Sequence, residues 1–555
     1  MKQLNLIFIL AIIVLSAPGK TNMLIAQEYS SKSLQEWQNR KFSMFIHWGL
    51  YSIPAGIWDG TKINGYSEQI QGHAKIPNEE YAKLALQFNP VKWNPDSIAK
   101  LALQAGMKTI VITSKHHDGF SMYHTKYSKY NVVDATPYKR DVVKELSEAC
   151  KRYGLKFGVY FSLIDWNYPA AMPFKSTRNS DRIPLLHHKF NLQQVEELLT
   201  NYGEISEIWF DMGSPTSEQS KEIAALVKRL QPNCLISGRI WNNQGDFVVM
   251  GDNKQPNFKM GVPWQSPASI YKETWGYRSW QKRDNIQKKT EEKIHDLEKI
   301  VSMGGNYLLN IGPTGEGEII DFEKQLLKGI GQWLEINSEA IYNTNIAAIK
   351  EQKWGVVTLK PGKLYLHVME YPQNNKLLLS GVRTDIFKTY TLSDKNMALK
   401  STQEKGDLLI DLPVDLKKDT YATVIVLEYK GALEFPSNIF VQENKNGQFV
   451  LSKSNAEKYH SFSGHDYYSN KSTVVKYLWN LLKTRKEDFE IEFTDNLNES
   501  LLLIINDKEF IIEAEEQTIS ISLKTYSTNR ISLRRKDNNY RHKNLNIKGF
   551  KMILK

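Results

Sequence analysis

At 555 residues the chain is too long for one ordinary core and should divide into two or three domains. Its 13 Trp and 27 Tyr exclude disorder as the default state, and their flat apolar faces with polar edges suit sugar rings. The net charge of +11 fits attraction to acidic glycans, but the basic residues are scattered without an arginine-rich stripe, which argues against a nucleic-acid partner.

The N-terminus predicts an export signal. Lys2 precedes an almost wholly apolar run from Leu4 to Ala17, shorter than a membrane span needs. Processing near Ala26 leaves residues 1–26 outside the mature fold, with no stable membrane span after signal removal. The expected destination is the periplasm or the exterior. Cys150 and Cys234 are too few to staple the fold, and no CxxC or zinc-type spacing occurs.

Residues 27–340 read as a (β/α)-barrel. Apolar strand candidates lie at 42–48, 109–113, 157–162, 207–212, 235–240 and 307–311. Helical patterns fall between them, at 94–106, 141–153, 192–202, 218–230 and 290–303. In the first helix Asn94 is a natural N-cap, Pro95 suits the first turn and Gly106 closes it. From about 341 to 435 short β runs alternate with Pro-Gly, Asn-Asn and Lys-rich turns, as in a β-sandwich. Residues 436–555 form a further β-rich module in which Leu478–Leu482 reads as a short helix.

Polar residues recur at the strand ends. His47 ends the first strand, and His116 and His117 follow the second. Asp165 and Trp166 follow the third, Asp211 ends the fourth and Arg239 the fifth. A closed parallel barrel opens all those ends on one face, where such barrels keep their chemistry. The histidines lack HxH or HExxH spacing, and neighbours in extended backbone point apart, so neither a metal nor a cofactor is expected. Neutral His, Tyr, Trp and Arg bind hydroxyls and a ring face, while a carboxylate at a rigid strand end can attack a sugar carbon. Retaining glycosidases pair such a nucleophile with a second carboxyl about 5 Å away.

The segments Lys41–Pro54, Lys115–Phe120, Trp209-Phe-Asp211, Thr274–Tyr277 and Gly304–Pro313 resemble, in order, those of α-L-fucosidases of glycoside hydrolase family 29. The resemblance covers about residues 35–340, with a β-sandwich behind. It implies a retaining exo-enzyme that hydrolyses terminal α-L-fucose, or a close relative such as α-L-galactose, from oligosaccharides or glycoconjugates. Asp211 falls on the family's nucleophile. His47, Glu68, His116 and His117 fall on residues that bind sugar hydroxyls; Tyr160 and Trp209 resemble the aromatic lining, and Arg239 the arginine of the fifth strand. The family's acid/base glutamate has no counterpart in register, because Trp264 is followed by Gln265, an amide without a useful proton. Glu273 is the replacement expected from the sequence, and a sugar-binding protein with little turnover is the alternative. The Gly304–Pro313 run reads as structural.

Overall fold

The computed structural model describes residues 32–171 and 182–347 without a break, and most of residues 349–554. The expected export signal lies outside the described residues. Among those residues no helix is long and apolar enough to cross a membrane.

Eight parallel strands share one sheet. They are β1 (Phe42–Ile46), β2 (Thr109–Lys115), β3 (Lys156–Ser162), β4 (Glu207–Asp211), β5 (Leu235–Ile236), β6 (Val248–Val249), β7 (Trp264–Ser269) and β8 (Asn306–Ile311). Their order is β5-β4-β3-β2-β1-β8-β7-β6, and a parallel bridge from Ser237 to Phe247 joins the two ends and closes the barrel. Strands β1, β2, β4, β7 and β8 are buried along their whole length, because a parallel sheet in a barrel is covered on both sides.

Around the sheet lie α1 (Pro95–Gln104), α2 (Val142–Arg152), α3 (Leu185–Asn201), α4 (Ser217–Leu230), α5 (Ile286–Ser302) and α6 (Asp321–Asn337). The Asn94 side chain accepts from the Ser97 N–H at 2.9 Å, and α1 turns Ile98, Ala99, Leu101 and Ala102 inward. Truncating such a cap typically costs about 1 kcal/mol.

Three sequence expectations need correction. The fifth strand ends at Ile236, and Gly238–Ile240 form a 3-10 turn, so Arg239 stands beyond the strand. Strands β6 and β7 join the six expected, and no α-helix separates β5, β6 and β7, which removes the usual strand–helix rhythm. Leu478–Leu482 is not helical. It ends a long strand, Thr473–Leu482, whose alternate residues Tyr477, Trp479 and Leu481 enter the module's core.

The β-sandwich packs against the last two helices. Trp333 Nε1 donates to the Ala422 carbonyl at 2.9 Å, and a fully buried His367–Glu298 pair spans the junction at 2.9 Å. The C-terminal module carries two sheets around a separate core. It meets the barrel at the β6–β7 loop: His460 N–H donates to the Lys259 carbonyl (2.8 Å), and Gly261 N–H donates to that of His460 (2.9 Å). Both cysteines are buried free thiols.

Candidate active site

The carboxyl ends of the strands surround a pocket lined by Phe45, His47, Tyr66, Glu68, Gln69, His116, His117, Trp209, Asp211, Arg239, Asp252 and Trp275. Every substrate-binding residue expected from the sequence except Tyr160 lines it directly. Tyr160 is fully buried and reaches the site through its hydroxyl, which donates to Asp211 Oδ2 at 2.8 Å.

Asp211 is the last residue of β4, so its backbone is fixed by the sheet. Arg239 Nη1 donates to Oδ1 at 2.9 Å, and His117 Nε2 stands 4.0 Å from Oδ2. Burial alone raises a carboxyl. Here the Arg239 charge, His117 and the hydrogen bonds from Arg239 and Tyr160 outweigh burial, and the Asp211 carboxyl is held below its ordinary range. It is therefore ionised at neutral pH.

The turn that follows is held in costly backbone. Met212 (φ 63°) and Trp241 (φ 64°) both lie in the left-handed region, and Trp241 Nε1 donates to the Met212 carbonyl at 3.3 Å. Such conformations persist where neighbouring structure enforces them, commonly at functional sites. Trp209 lies beneath the Arg239 guanidinium, 4.8 Å from it, and restricts the arm that holds Asp211.

Burial keeps the histidines neutral. It pushes His47 down to about 3 and His117 down to about 4, and His116 well below its usual range. Their tautomers follow from the hydrogen-bond network. Asn310 Nδ2 donates to the Trp275 carbonyl, so Asn310 Oδ1 accepts from His47 Nδ1 at 2.7 Å. Ser162 Oγ donates to the Ile164 carbonyl and accepts from His117 Nδ1 at 2.8 Å. Both rings thus keep a bare Nε2 able to accept from a hydroxyl. Asn310 belongs to the Gly304–Pro313 run read as structural; the run also orients His47.

Glu68 lies in a short 3-10 turn and is almost fully buried. Its Oε2 accepts from the Gly276 and Trp275 N–H groups at 2.8 and 3.0 Å. Burial, opposed by these donors, pushes Glu68 up to about 7. A carboxyl raised on folding favours the native state fully below its unfolded value of 4.5. That contribution is lost as pH rises through about 7. Accordingly, Glu68→Gln gains stability relative to the parent between pH 5 and pH 8, by on the order of 3 kcal/mol at most. Paired thermal melts at the two pH values check this.

Gln265 is not in the pocket. It is fully buried below Trp209, where its Oε1 accepts from Trp209 Nε1 (2.9 Å) and its Nε2 donates to Glu207 (3.4 Å). An amide suits this place because it must accept on one side and donate on the other. Gln265→Leu strips both buried partners and is expected to cost on the order of 2–4 kcal/mol, read as a lowered Tm. Glu273 is exposed and its carboxylate accepts from Gln281 at 3.2 Å; it does not line the pocket. Asp165 also turns away, accepting from the Asn167 and Tyr168 N–H groups beside buried Lys115.

The residue missed in the sequence is Asp252. Its Oδ1 accepts from Arg239 Nη2 at 2.6 Å, so one guanidinium grips Asp211 with one nitrogen and Asp252 with the other. Its side chain is 30% accessible, against 12% for Asp211. Asp252 follows the apolar run Phe247-Val-Val-Met250, the same strand-end signal that marked Asp211.

An ionised carboxylate at a barrel strand end, a second carboxyl beside it, neutral histidines and aromatic walls define a glycosidase built on a (β/α)-barrel. The α-L-fucosidase family model matches residues 17–339. Tissue α-L-fucosidase from Mus musculus is 30% identical over 410 residues, covering 70% of this chain and 89% of that protein. The crystal structure of α-L-fucosidase from Vibrio sp. strain EJY3 superposes with a TM-score of 0.68 at 27% identity, covering 95% of this chain and 98% of that one. An α-L-fucosidase from Bacteroides thetaiotaomicron, trapped as a covalent intermediate with 2-fluoro-fucosyl fluoride, gives 0.66 at 27% identity over 72% of this chain and 96% of its own. The chain belongs to the α-L-fucosidase family of glycoside hydrolases.

Proposed function

We propose that this enzyme is exported and removes terminal α-L-fucose from oligosaccharides or glycoconjugates with net retention, using Asp211 as nucleophile and Asp252 as acid/base. The shared grip of Arg239 on both carboxylates carries this reading. Retention uses two carboxyls roughly 5 Å apart, and the shared guanidinium makes Asp211 and Asp252 neighbours at the pocket. The pocket is small even with its open mouth counted, about 320 Å³, which suits an end sugar rather than a chain threaded through. Phe45, Trp209 and Trp275 give a 6-deoxy sugar an apolar wall for its methyl group.

In the first step an Asp211 oxygen bonds to C1 as the glycosidic C–O bond breaks, and the leaving oxygen takes the proton of Asp252. Asp211 takes donors on both oxygens, from Arg239 and Tyr160, while Asp252 is the more accessible of the two, so we assign the proton transfer to the carboxyl nearer the mouth. In the second step Asp252 removes a proton from water as its oxygen bonds to C1 and the Asp211 ester breaks, returning both groups to their starting state. Neutral His47 and His117 hold the hydroxyls without adding positive charge beside the oxocarbenium-like transition state. Glu68, saturated by backbone donors on one oxygen, serves as a hydroxyl ligand.

The replacement of the family glutamate by Gln265 gives no support to a non-catalytic reading, because that side chain sits a layer below the pocket. The test is hydrolysis of an activated aryl α-L-fucoside followed by proton NMR. The reading expects aryl alcohol release and α-L-fucose as the first-formed anomer. The β anomer first sinks retention, and tight fucose binding without turnover makes the protein a lectin-like relative.

A further inference from the structure

Alternate residues of β4 face the barrel interior: Glu207 at its floor, Trp209 above it and Asp211 at the mouth. The Arg239 and Tyr160 side chains that donate to Asp211 both rest on Trp209. Its ring lies 4.8 Å from the Arg239 guanidinium and is stacked with the Tyr160 ring at 5.6 Å, 21° between planes. Whatever fixes Trp209 therefore fixes the donors around Asp211.

The restraint comes from across the barrel. Trp209 Nε1 can only donate, and it donates to Gln265 Oε1 at 2.9 Å. That turns the amide's Nε2 the other way, where it donates to Glu207 Oε2 at 3.4 Å. The same oxygen accepts from Trp37 Nε1 at 3.0 Å, and the Trp37 ring stacks on Phe247 at 4.3 Å. Trp37 is buried and belongs to the helix of residues 32–40 that leads into β1. Strand β3 leaves room for this column: a Cβ at Gly158 would lie 2.8 Å from both Glu207 Cγ and the Glu207 carbonyl oxygen.

Barrel interiors are ordinarily filled by layers of branched apolar side chains. A carboxyl and an amide in that place cost desolvation that an apolar layer avoids. Neither lines the pocket, so neither meets the sugar. What a linked set of buried hydrogen bonds supplies is rigidity and one preferred arrangement.

We propose that Glu207 and Gln265 are positioning residues for the reaction: through Trp209 they hold Arg239 and Tyr160 in place on Asp211. This role rests on Asp211 being the nucleophile.

Gln265→Met fills a similar volume and deletes both of its bonds. Active sites are counted by titration with 2-fluoro-fucosyl fluoride, so unfolded protein does not enter the rate. On an aryl α-L-fucoside, kcat per site should fall about 10- to 100-fold, the scale of a 1 Å displacement of reacting groups. KM should stay within about twofold of the parent. The groups assigned to the hydroxyls are held elsewhere, His47 by Asn310, His117 by Ser162 and Glu68 by the Trp275 and Gly276 N–H groups.

The readout that mere support of the fold would not move is the acid limb of kcat/KM. Burial raises the Asp211 carboxyl, and Arg239 leads the groups that hold it down, ahead of His117 and Tyr160. Loosening Arg239 lets that carboxyl rise, so the limb should move to higher pH by about one unit. Glu207→Gln keeps an acceptor for both donors and should stay near the parent in kcat per site and in its limb. Glu207→Leu should follow Gln265→Met. Trp209→Phe keeps an aromatic face beneath Arg239 and loses the N–H, and its limb should move the same way even if the other variants fold poorly. Parental kcat per site with an unmoved limb in Gln265→Met, or an unmoved limb in Trp209→Phe, overturns the positioning role and leaves the column as packing. A parent adduct on a residue other than Asp211 sinks the nucleophile assignment, and the role that rests on it, whatever the variants' kinetics.

Discussion

Asp211→Asn should retain the fold and bind fucose, yet lose kcat on an aryl α-L-fucoside by on the order of 10⁴–10⁶-fold, the scale seen when a nucleophile is removed. The side chain keeps its shape, so the loss reports chemistry and not collapse. In Asp211→Gly the vacated space admits a small anion, and added azide should restore turnover by direct attack on C1. The product is then β-L-fucosyl azide, because one displacement inverts the centre. An α-azide from this variant, or parental activity in Asp211→Asn, would contradict the assignment. Arg239 bears on the same result. It holds both carboxylates through Nη1 and Nη2, so Arg239→Lys, a point charge without the planar fork, cannot grip both in that geometry.

The second large effect belongs to Asp252. Asp252→Ala should slow hydrolysis of natural fucosides by about 10²–10⁴-fold, the usual worth of general acid help. Substrates with good leaving groups need no proton in the first step, so their first-step rate should change far less. The glycosyl-enzyme then accumulates, and azide should release it as α-L-fucosyl azide, the retained product. Glu273→Ala is the control and should behave like the parent on both substrate types, since its exposed carboxylate rests on Gln281. If instead Glu273→Ala shows the leaving-group dependence and Asp252→Ala does not, the acid is Glu273 and the loop must close over the substrate.

The barrel was legible wherever short apolar runs alternated with amphipathic helical patterns. Strands β1 to β4 and β8 were found that way, and with them His47, His116, His117 and Asp211. The reading failed between residues 236 and 264, where three successive strands follow one another without an α-helix and two of them are two residues long. Asp252 was lost in that gap, although the strand-end rule that found Asp211 applies to it. Gln265 was misjudged for another reason. Spacing along a chain does not say which layer of a barrel a side chain enters, and Gln265 enters near the start of β7, beside Asn306 at the start of β8. Glu68 sits in a 3-10 turn with no pattern to distinguish it from a surface glutamate, and only the family resemblance pointed to it.

The most direct test of the central claim is covalent trapping. The enzyme is incubated with 2-fluoro-fucosyl fluoride, digested, and the labelled peptide is sequenced by mass spectrometry. The account predicts a single fluorofucosyl adduct on Asp211, in the peptide containing Glu207–Gly213. An adduct on Glu68, Asp252 or Glu273, with Asp211 unmodified, would contradict it.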